Sequence, residues 1–223
     1  MFRLLVTQAR GVDRYGSPID YLEDSLVHFF SSLDVDLHPI PNSLNNIEKF
    51  IEGIDYDGLV ISGGGDVHPK YFSKSPPVTH RYSKKRDSIE NELIDLCLEK
   101  KKIILGICYG MQKLNTYFGG KISSNINLDL TEEKITQENH FILIKKPIFG
   151  LKGEYFVNKF HNHNIEPEDL GLGLEVVAID SSSGNIEAFI HGQFPVLGVL
   201  WHPDRKSPDP EFNKELISMF LNN

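Results

Sequence analysis

The stretch Ile103-Ile104-Leu105-Gly106-Ile107-Cys108-Tyr109-Gly110-Met111-Gln112 decides how this chain folds. Ile103 to Ile107 form an apolar run of the length of a buried strand, and a helix is expected from Gly110 to Phe118. Cys108 therefore falls on a sharp turn from strand to helix. Small residues two places to either side let such a turn tighten and let another molecule approach. The N-terminus of the helix favours a thiolate through its dipole and its free N–H groups. The local pattern is that of an activated cysteine nucleophile.

Upstream of this turn the chain alternates between strand and helix. Phe2 to Thr7 is an apolar run of strand length. Ser17-Pro18 offers a cap and a first-turn proline for a helix on which Ile19, Leu22, Leu26, Phe29 and Leu33 recur at helical spacing. Val35 to Ile40 reads as a second strand, Ile47, Phe50 and Ile51 as a short helix, and Gly58 to Ser62 as a buried third strand. Ile89, Leu93, Leu96 and Cys97 mark the apolar face of the helix that precedes Ile103. Such alternation implies an α/β fold with a mostly parallel sheet covered on both faces. Downstream of Gly119 the pattern changes to strands at Phe141 to Ile144, Tyr155 to Phe160, Glu175 to Asp180, Ile186 to His191 and Val196 to Trp201. A helix from Pro210 to Leu221 follows.

With 223 residues, 40% hydrophobic and 24% charged, the chain has the composition of one globular domain. No apolar run approaches the roughly 20 residues that span a bilayer, and Gln8 and Arg10 interrupt the N-terminal run too early for a signal peptide. A cytoplasmic location and no membrane partner are expected. The formal charge of −8 argues against a general nucleic-acid binder. Two cysteines, Cys97 and Cys108, make no disulfide framework; Cys97, on an amphipathic helix face, reads as core.

A cysteine nucleophile needs a base, an orienter for that base and donors for an oxyanion. His202 follows the last strand, so its ring would project from a strand end, and Asp204 stands two residues on, where a carboxylate can hold the imidazole in one tautomer. Tyr109, directly after the cysteine, offers one backbone N–H. The glycines of Ser62-Gly63-Gly64-Gly65-Asp66, after the third strand, permit a second N–H to face a substrate. His161 and His163 with His202 are the candidates for a metal centre, but an HxH pair on a loop has no specific zinc spacing. No metal and no cofactor are expected.

Taken in order, SGGGDVHPKYF at 62–72, RDSIE at 86–90, GICYGMQKLN at 106–115, FGG at 118–120, VNKFHNH at 157–163 and WHPD at 201–204 resemble the γ-glutamyl hydrolase branch (peptidase C26) of class I glutamine amidotransferase-like proteins. The resemblance implies a flavodoxin-like three-layer sandwich and a Cys-His-acid triad carried by Cys108, His202 and Asp204. It suggests that Gly64 lies at the oxyanion hole, which Tyr109 completes by its place after the cysteine, that Gln112 helps bind the glutamyl group and that Asn158 and His161 line the substrate site; Gly65 and Arg86 are further candidates for substrate binding. The family usually has Glu where this chain has Asp204, so the shorter carboxylate must come closer through its backbone. The implied partner is a small γ-glutamyl compound, and a homodimer is compatible with the resemblance.

One local feature bears on the leaving group. His80-Arg81-Tyr82-Ser83-Lys84-Lys85-Arg86 is basic in an acidic chain, and basic residues before a helix start are disfavoured by its dipole. With Lys70, Lys74 and Arg205 it is a candidate phosphate receiver. The TQAR start, KKRD and WHPDR are similar to γ-glutamyl-CDP-amidate hydrolases of capsule phosphoramidate pathways. The alternatives are a γ-glutamyl-γ-aminobutyrate hydrolase and a glutaminase subunit that feeds ammonia to a synthase, since GICYGMQ also resembles such glutaminase domains.

Overall fold

The computed structural model describes residues 2–73, 81–124 and 138–223, without the side chain at 138. Strands β1 (Phe2–Thr7), β4 (Val35–Ile40), β5 (Gly58–Ile61), β6 (Ile103–Ile107) and β13 (Val196–Val199) run parallel at one end of a nine-stranded sheet. The antiparallel strands β8 (Glu138–Ile148), β9 (Leu151–Lys159), β11 (Leu174–Asp180) and β12 (Ile186–His191) complete it, in the order β4-β1-β5-β6-β13-β12-β11-β8-β9. The change of strand character expected after Gly119 is thus the seam between a parallel and an antiparallel half. β13 sits at that seam, parallel to β6 and antiparallel to β12.

Alternation of side chains along the buried strands divides the core in two. Leu4 and Val6 of β1 face α1 (Asp24–Ser32) and α5 (Pro210–Leu221), where Phe29, Phe30, Phe212 and Phe220 pack around Trp201. Leu5 points the other way, with Leu59 and Ile61, toward α2 (Ile47–Ile51), α3 (Lys84–Glu99) and α4 (Tyr109–Tyr117). This is the three-layer sandwich. Cys97 lies in the second core, and burial pushes its thiol up to about 12, so it stays an inert, packed group.

One expected element is different. No helix starts at Ser17-Pro18; instead β2 (Ala9–Val12) and β3 (Pro18–Tyr21) form an antiparallel hairpin, and α1 begins at Asp24. The side chain of Asp13 accepts the N–H groups of Tyr15 and Ser17 at 2.8 Å, and Gly16 takes φ +81°, so a local turn outcompetes the helix. Asp20 then receives Arg10 and Asn42, both at 2.9 Å, which fixes the hairpin beside the end of β4. A short ladder of β7 (Ser123–Ser124) with β10 (His163–Asn164) tethers the segment after β9. Among the described residues no helix is long and apolar enough to cross a membrane.

Among the glycines of the described residues Gly110 has the least room: where α4 meets β5, a Cβ on it would stand 2.0 Å from the carbonyl oxygen of Ile61. Backbone cannot yield as a flexible side chain can. Gly110→Ala is therefore expected to lower the unfolding free energy by about 3 kcal/mol or more, read from the urea midpoint of far-UV circular dichroism. Parent-like stability would show that the helix can slide away from the strand.

Candidate active site

Cys108 links β6 to α4 with φ +53° and ψ −105°, outside the regions an L-residue ordinarily occupies. Strain of that kind costs on the order of 1–3 kcal/mol and persists only where the surroundings impose it. Here the Cys108 N–H donates to Val199 O at 2.8 Å, while its carbonyl accepts Gln112 N at 3.1 Å. A Cβ on Gly106 would stand 2.6 Å from Gly110, so the two glycines flanking the cysteine are required by each other. The turn lifts the sulfur to the carboxyl ends of the parallel strands, the edge where open α/β sheets bind ligands.

The loop after β13 brings His202 to the same edge. Asn158 of β9 holds its backbone from both sides, accepting His202 N at 2.9 Å and donating to His202 O at 2.8 Å and Lys206 O at 3.2 Å. His202 Nδ1 lies 3.1 Å from Asp204 Oδ1, which leaves Nε2 for the hydrogen bond with Cys108. Asp204 Oδ2 also accepts from Ser25 Oγ at 3.3 Å, so the shorter carboxylate does reach the ring. Burial is the largest single influence on His202 and disfavours its charge. Cys108 and Asp204 together outweigh it and raise the imidazole to about 9. Asp204 is held below its ordinary range: burial opposes this, but its hydrogen bond to His202 prevails.

The glycine loop after β5 completes the edge. Arg86, on the first turn of α3, is buried and donates to the carbonyls of Ser62, Gly63 and Gly64 at 2.7, 3.3 and 2.5 Å. In a trans peptide the N–H points opposite to the C=O. Pinning Gly63 O therefore turns the Gly64 N–H away from Arg86. Gly64 lines the cleft, as does Tyr109, whose N–H, at the first position of α4, has no partner within the helix. Arg86 is balanced by Glu90, whose Oε1 accepts Arg86 Nε at 2.7 Å and Thr7 Oγ1 at 2.9 Å and whose Oε2 accepts the Tyr109 hydroxyl at 2.7 Å. Burial works against the guanidinium charge, yet Glu90 keeps Arg86 above its ordinary value.

A small cleft joins these parts. Of the expected site residues, Cys108, His202, Gly64, Gly65, Tyr109, Gln112 and His161 line it, and Asp204 stands behind His202. Two belong elsewhere. Asn158 spends its amide on the backbone of the His202 loop, and Arg86 spends its guanidinium on Glu90 and the glycine loop, so both position other groups rather than meet a substrate. Lys84 and Lys85 point to solvent on α3, while Lys74 and His80 lie outside the described residues. From the basic set, Arg81 and Arg205 line the cleft. Arg205 gives Nε and Nη2 to Glu23 at 3.0 and 2.6 Å. His161 is driven down to about 4, chiefly by burial, and is neutral at pH 7.

Asp66 is the residue the sequence pattern did not single out. Its carboxylate is buried on the cleft wall, with one oxygen 3.5 Å from His163 Nε2 and the other without a hydrogen-bond partner among the described residues. Its signal was its place directly after the glycine run.

Comparison with known proteins agrees with this geometry. The peptidase C26 family model matches residues 25–204. A glutamine amidotransferase-like protein of Lactococcus lactis is 30% identical over 215 residues, covering 92% of this chain and 89% of that protein. The γ-glutamyl-CDP-amidate hydrolase of Campylobacter jejuni is 35% identical over 150 residues, covering 67% of this chain and 62% of that protein. Among solved structures, a GMP synthase protein of Thermoplasma acidophilum superposes with a TM-score of 0.68 at 19% identity, covering all of this chain and 93% of that one. It shares the fold.

Two outcomes follow from this arrangement. Arg86→Met leaves Glu90 buried without its cation and should lower the unfolding free energy by about 3–5 kcal/mol, read by urea denaturation; an unchanged midpoint would mean that the pair does not hold the loop. Because the folded pKa of His202 is raised from 6.5 to about 9, the stability its charge brings is complete below pH 6.5 and is lost as the pH rises through about 9. NMR titration of the labelled ring should show that raised value in the parent and a lower one in Cys108→Ala. Equal values would separate the two side chains.

Proposed function

The chain belongs to the peptidase C26 family of hydrolases, and we propose that it cleaves the γ-glutamyl amide bond of a small conjugate, with Cys108, His202 and Asp204 as its catalytic triad. The observation that carries this reading is the meeting at the cleft of Cys108, on its strained turn, with His202, whose charge Cys108 favours and whose Nδ1 lies 3.1 Å from Asp204 Oδ1, beside Gly64 and Tyr109. The Cys108 thiolate attacks the γ-carbonyl carbon, and the N–H groups of Gly64 and Tyr109 receive the oxyanion. The His202 imidazolium protonates the departing nitrogen as the C–N bond breaks, leaving a thioester on Cys108. His202, now neutral, takes a proton from water; hydroxide adds to the thioester, and glutamate leaves as the C–S bond breaks, which restores the Cys108 thiolate beside the His202 imidazolium.

Selection of the glutamyl end is assigned to Gln112 and Asp66. A buried carboxylate with a vacant acceptor suits an α-ammonium group, and Gln112, which donates to His163 O at 3.2 Å, keeps its carbonyl oxygen for the ligand. For the leaving group, Arg81 supports a phosphate-bearing amide, as does the similarity to the Campylobacter jejuni hydrolase. Arg205, which also lines the cleft, is paired with Glu23.

Incubation with glutamine, γ-glutamyl-γ-aminobutyrate and a nucleotide-linked γ-glutamyl amide, followed by mass spectrometry, tests both levels. Cys108→Ala should abolish all turnover with the fold retained; residual activity at the parent rate would remove the mechanism. Arg81→Ala should lower kcat/KM on the nucleotide-linked compound about tenfold or more, with little change on the uncharged amides. An equal loss on all three would discard the phosphate role, and turnover of glutamine alone would mark a glutaminase instead.

A further inference from the structure

Behind the cleft, three side chains that the reaction does not use meet at one point. His140 comes from β8, Glu187 from β12, and His161 from the segment after β9; β8 and β12 flank β11 on either side. Glu187 Oε1 lies 3.2 Å from His140 Nε2 and 3.7 Å from His161 Nε2, and one donor atom from each residue falls within 4.8 Å of the others.

Apart from its own imidazoles, this cluster has no cationic side chain among the described residues. The Glu187 side chain is 1% exposed, and among the described residues no lysine or arginine stands within ion-pair distance of it. Glu187 Oε2, His161 Nε2 and both ring nitrogens of His140 are buried with no hydrogen-bond partner there. A buried carboxylate whose second oxygen has no partner costs free energy, and each unsatisfied polar nitrogen adds to that. Asp180, with Oδ2 3.9 Å from the same His140 nitrogen, puts a second negative charge on the far side. We infer that His140, His161 and Glu187 form a binding site for a divalent cation of the zinc class, which takes imidazole and carboxylate ligands together.

The surroundings have the form such a site needs. His161 Nδ1 lies 3.2 Å from His163 O and donates its proton there, which leaves the Nε2 lone pair directed at the cluster. Ligand atoms about 2.0–2.2 Å from a tetrahedral zinc stand ~3.3 Å apart. Two of the separations already approach that value, and the third lies within 4.8 Å. The cation would be structural: His161 belongs to the segment Phe160 to His163 that forms one wall of the cleft, so the metal would clamp that wall to β8 and β12. The grouping differs from a set of His161, His163 and His202, because His163 pairs with Asp66 and His202 with Asp204.

The test uses the full chain, stripped with a chelator and titrated with Zn2+ by calorimetry, with Co2+ as the spectroscopic probe. One equivalent should bind, Co2+ should give the visible bands of a tetrahedral site, and Zn2+ should raise the Tm. His140→Ala and Glu187→Gln should each weaken binding at least about a hundredfold, whereas Cys108→Ala should leave it intact. Binding that survives His140→Ala, or that disappears in Cys108→Ala, would assign the metal to another site and overturn the inference, as would no saturable binding by the parent. Should Glu187→Gln fail to fold, His140→Ala decides alone.

Discussion

The ion pair of Arg86 with Glu90 is the constraint on which the site depends. Both side chains are almost wholly removed from water, at 3% and 0% exposure, where neither charge is tolerable alone. The pair is stable because every remaining donor and acceptor is used: three carbonyls of the glycine loop on the cationic side, Thr7 and the Tyr109 hydroxyl on the anionic side. The ends of β1 and β5 and the starts of α3 and α4 are thereby tied to one point. The Tyr109 ring also lies under the guanidinium, with its centroid 4.1 Å away. One buried charge thus sets the relative position of the glycine loop and the residue following Cys108.

Around that point, flexible parts are replaced by parts with one solution. Cys108 keeps a backbone conformation it would not choose alone, because Gly106, Gly110 and Val199 leave no other route from strand to helix. A Cβ on Gly63 would stand 2.6 Å from His202 Cε1, so the imidazole rests directly on the glycine loop. Phe160 closes its other side edge-on, with ring centroids 5.7 Å apart. The ring is left with two directions to hydrogen bond, one toward Asp204 and one toward the sulfur. Preorganisation of this kind is what lets a charge develop without solvent having to rearrange.

How far the site was legible in the sequence differs from residue to residue. Cys108 was legible because a strand followed at once by a helix forces a turn, and that consequence is local. The Pro210–Leu221 helix and the Cys97 core position followed from periodicity in the same way. The hairpin at Ala9–Tyr21 was missed because apolar spacing from Ile19 to Leu33 extends through it, while the decisive signal was the turn chemistry of Asp13 and Gly16. Arg86 looked like one of several basic residues. Only the packing of α3 turns it inward while Lys84 and Lys85 face solvent.

By itself, the sequence determined the order of elements, the two-faced sheet, the turn at Cys108 and the identity of the residues available at strand ends, since each of these rests on contacts within a few positions of the chain. The tertiary structure alone decided which of those residues meet. That His202 reaches Cys108 depends on β13 pairing beside β6, and that His140 and Glu187 converge on His161 depends on two strands flanking β11. Pairings of this range are chosen by how the whole sheet buries its faces, and no short window of sequence contains that information.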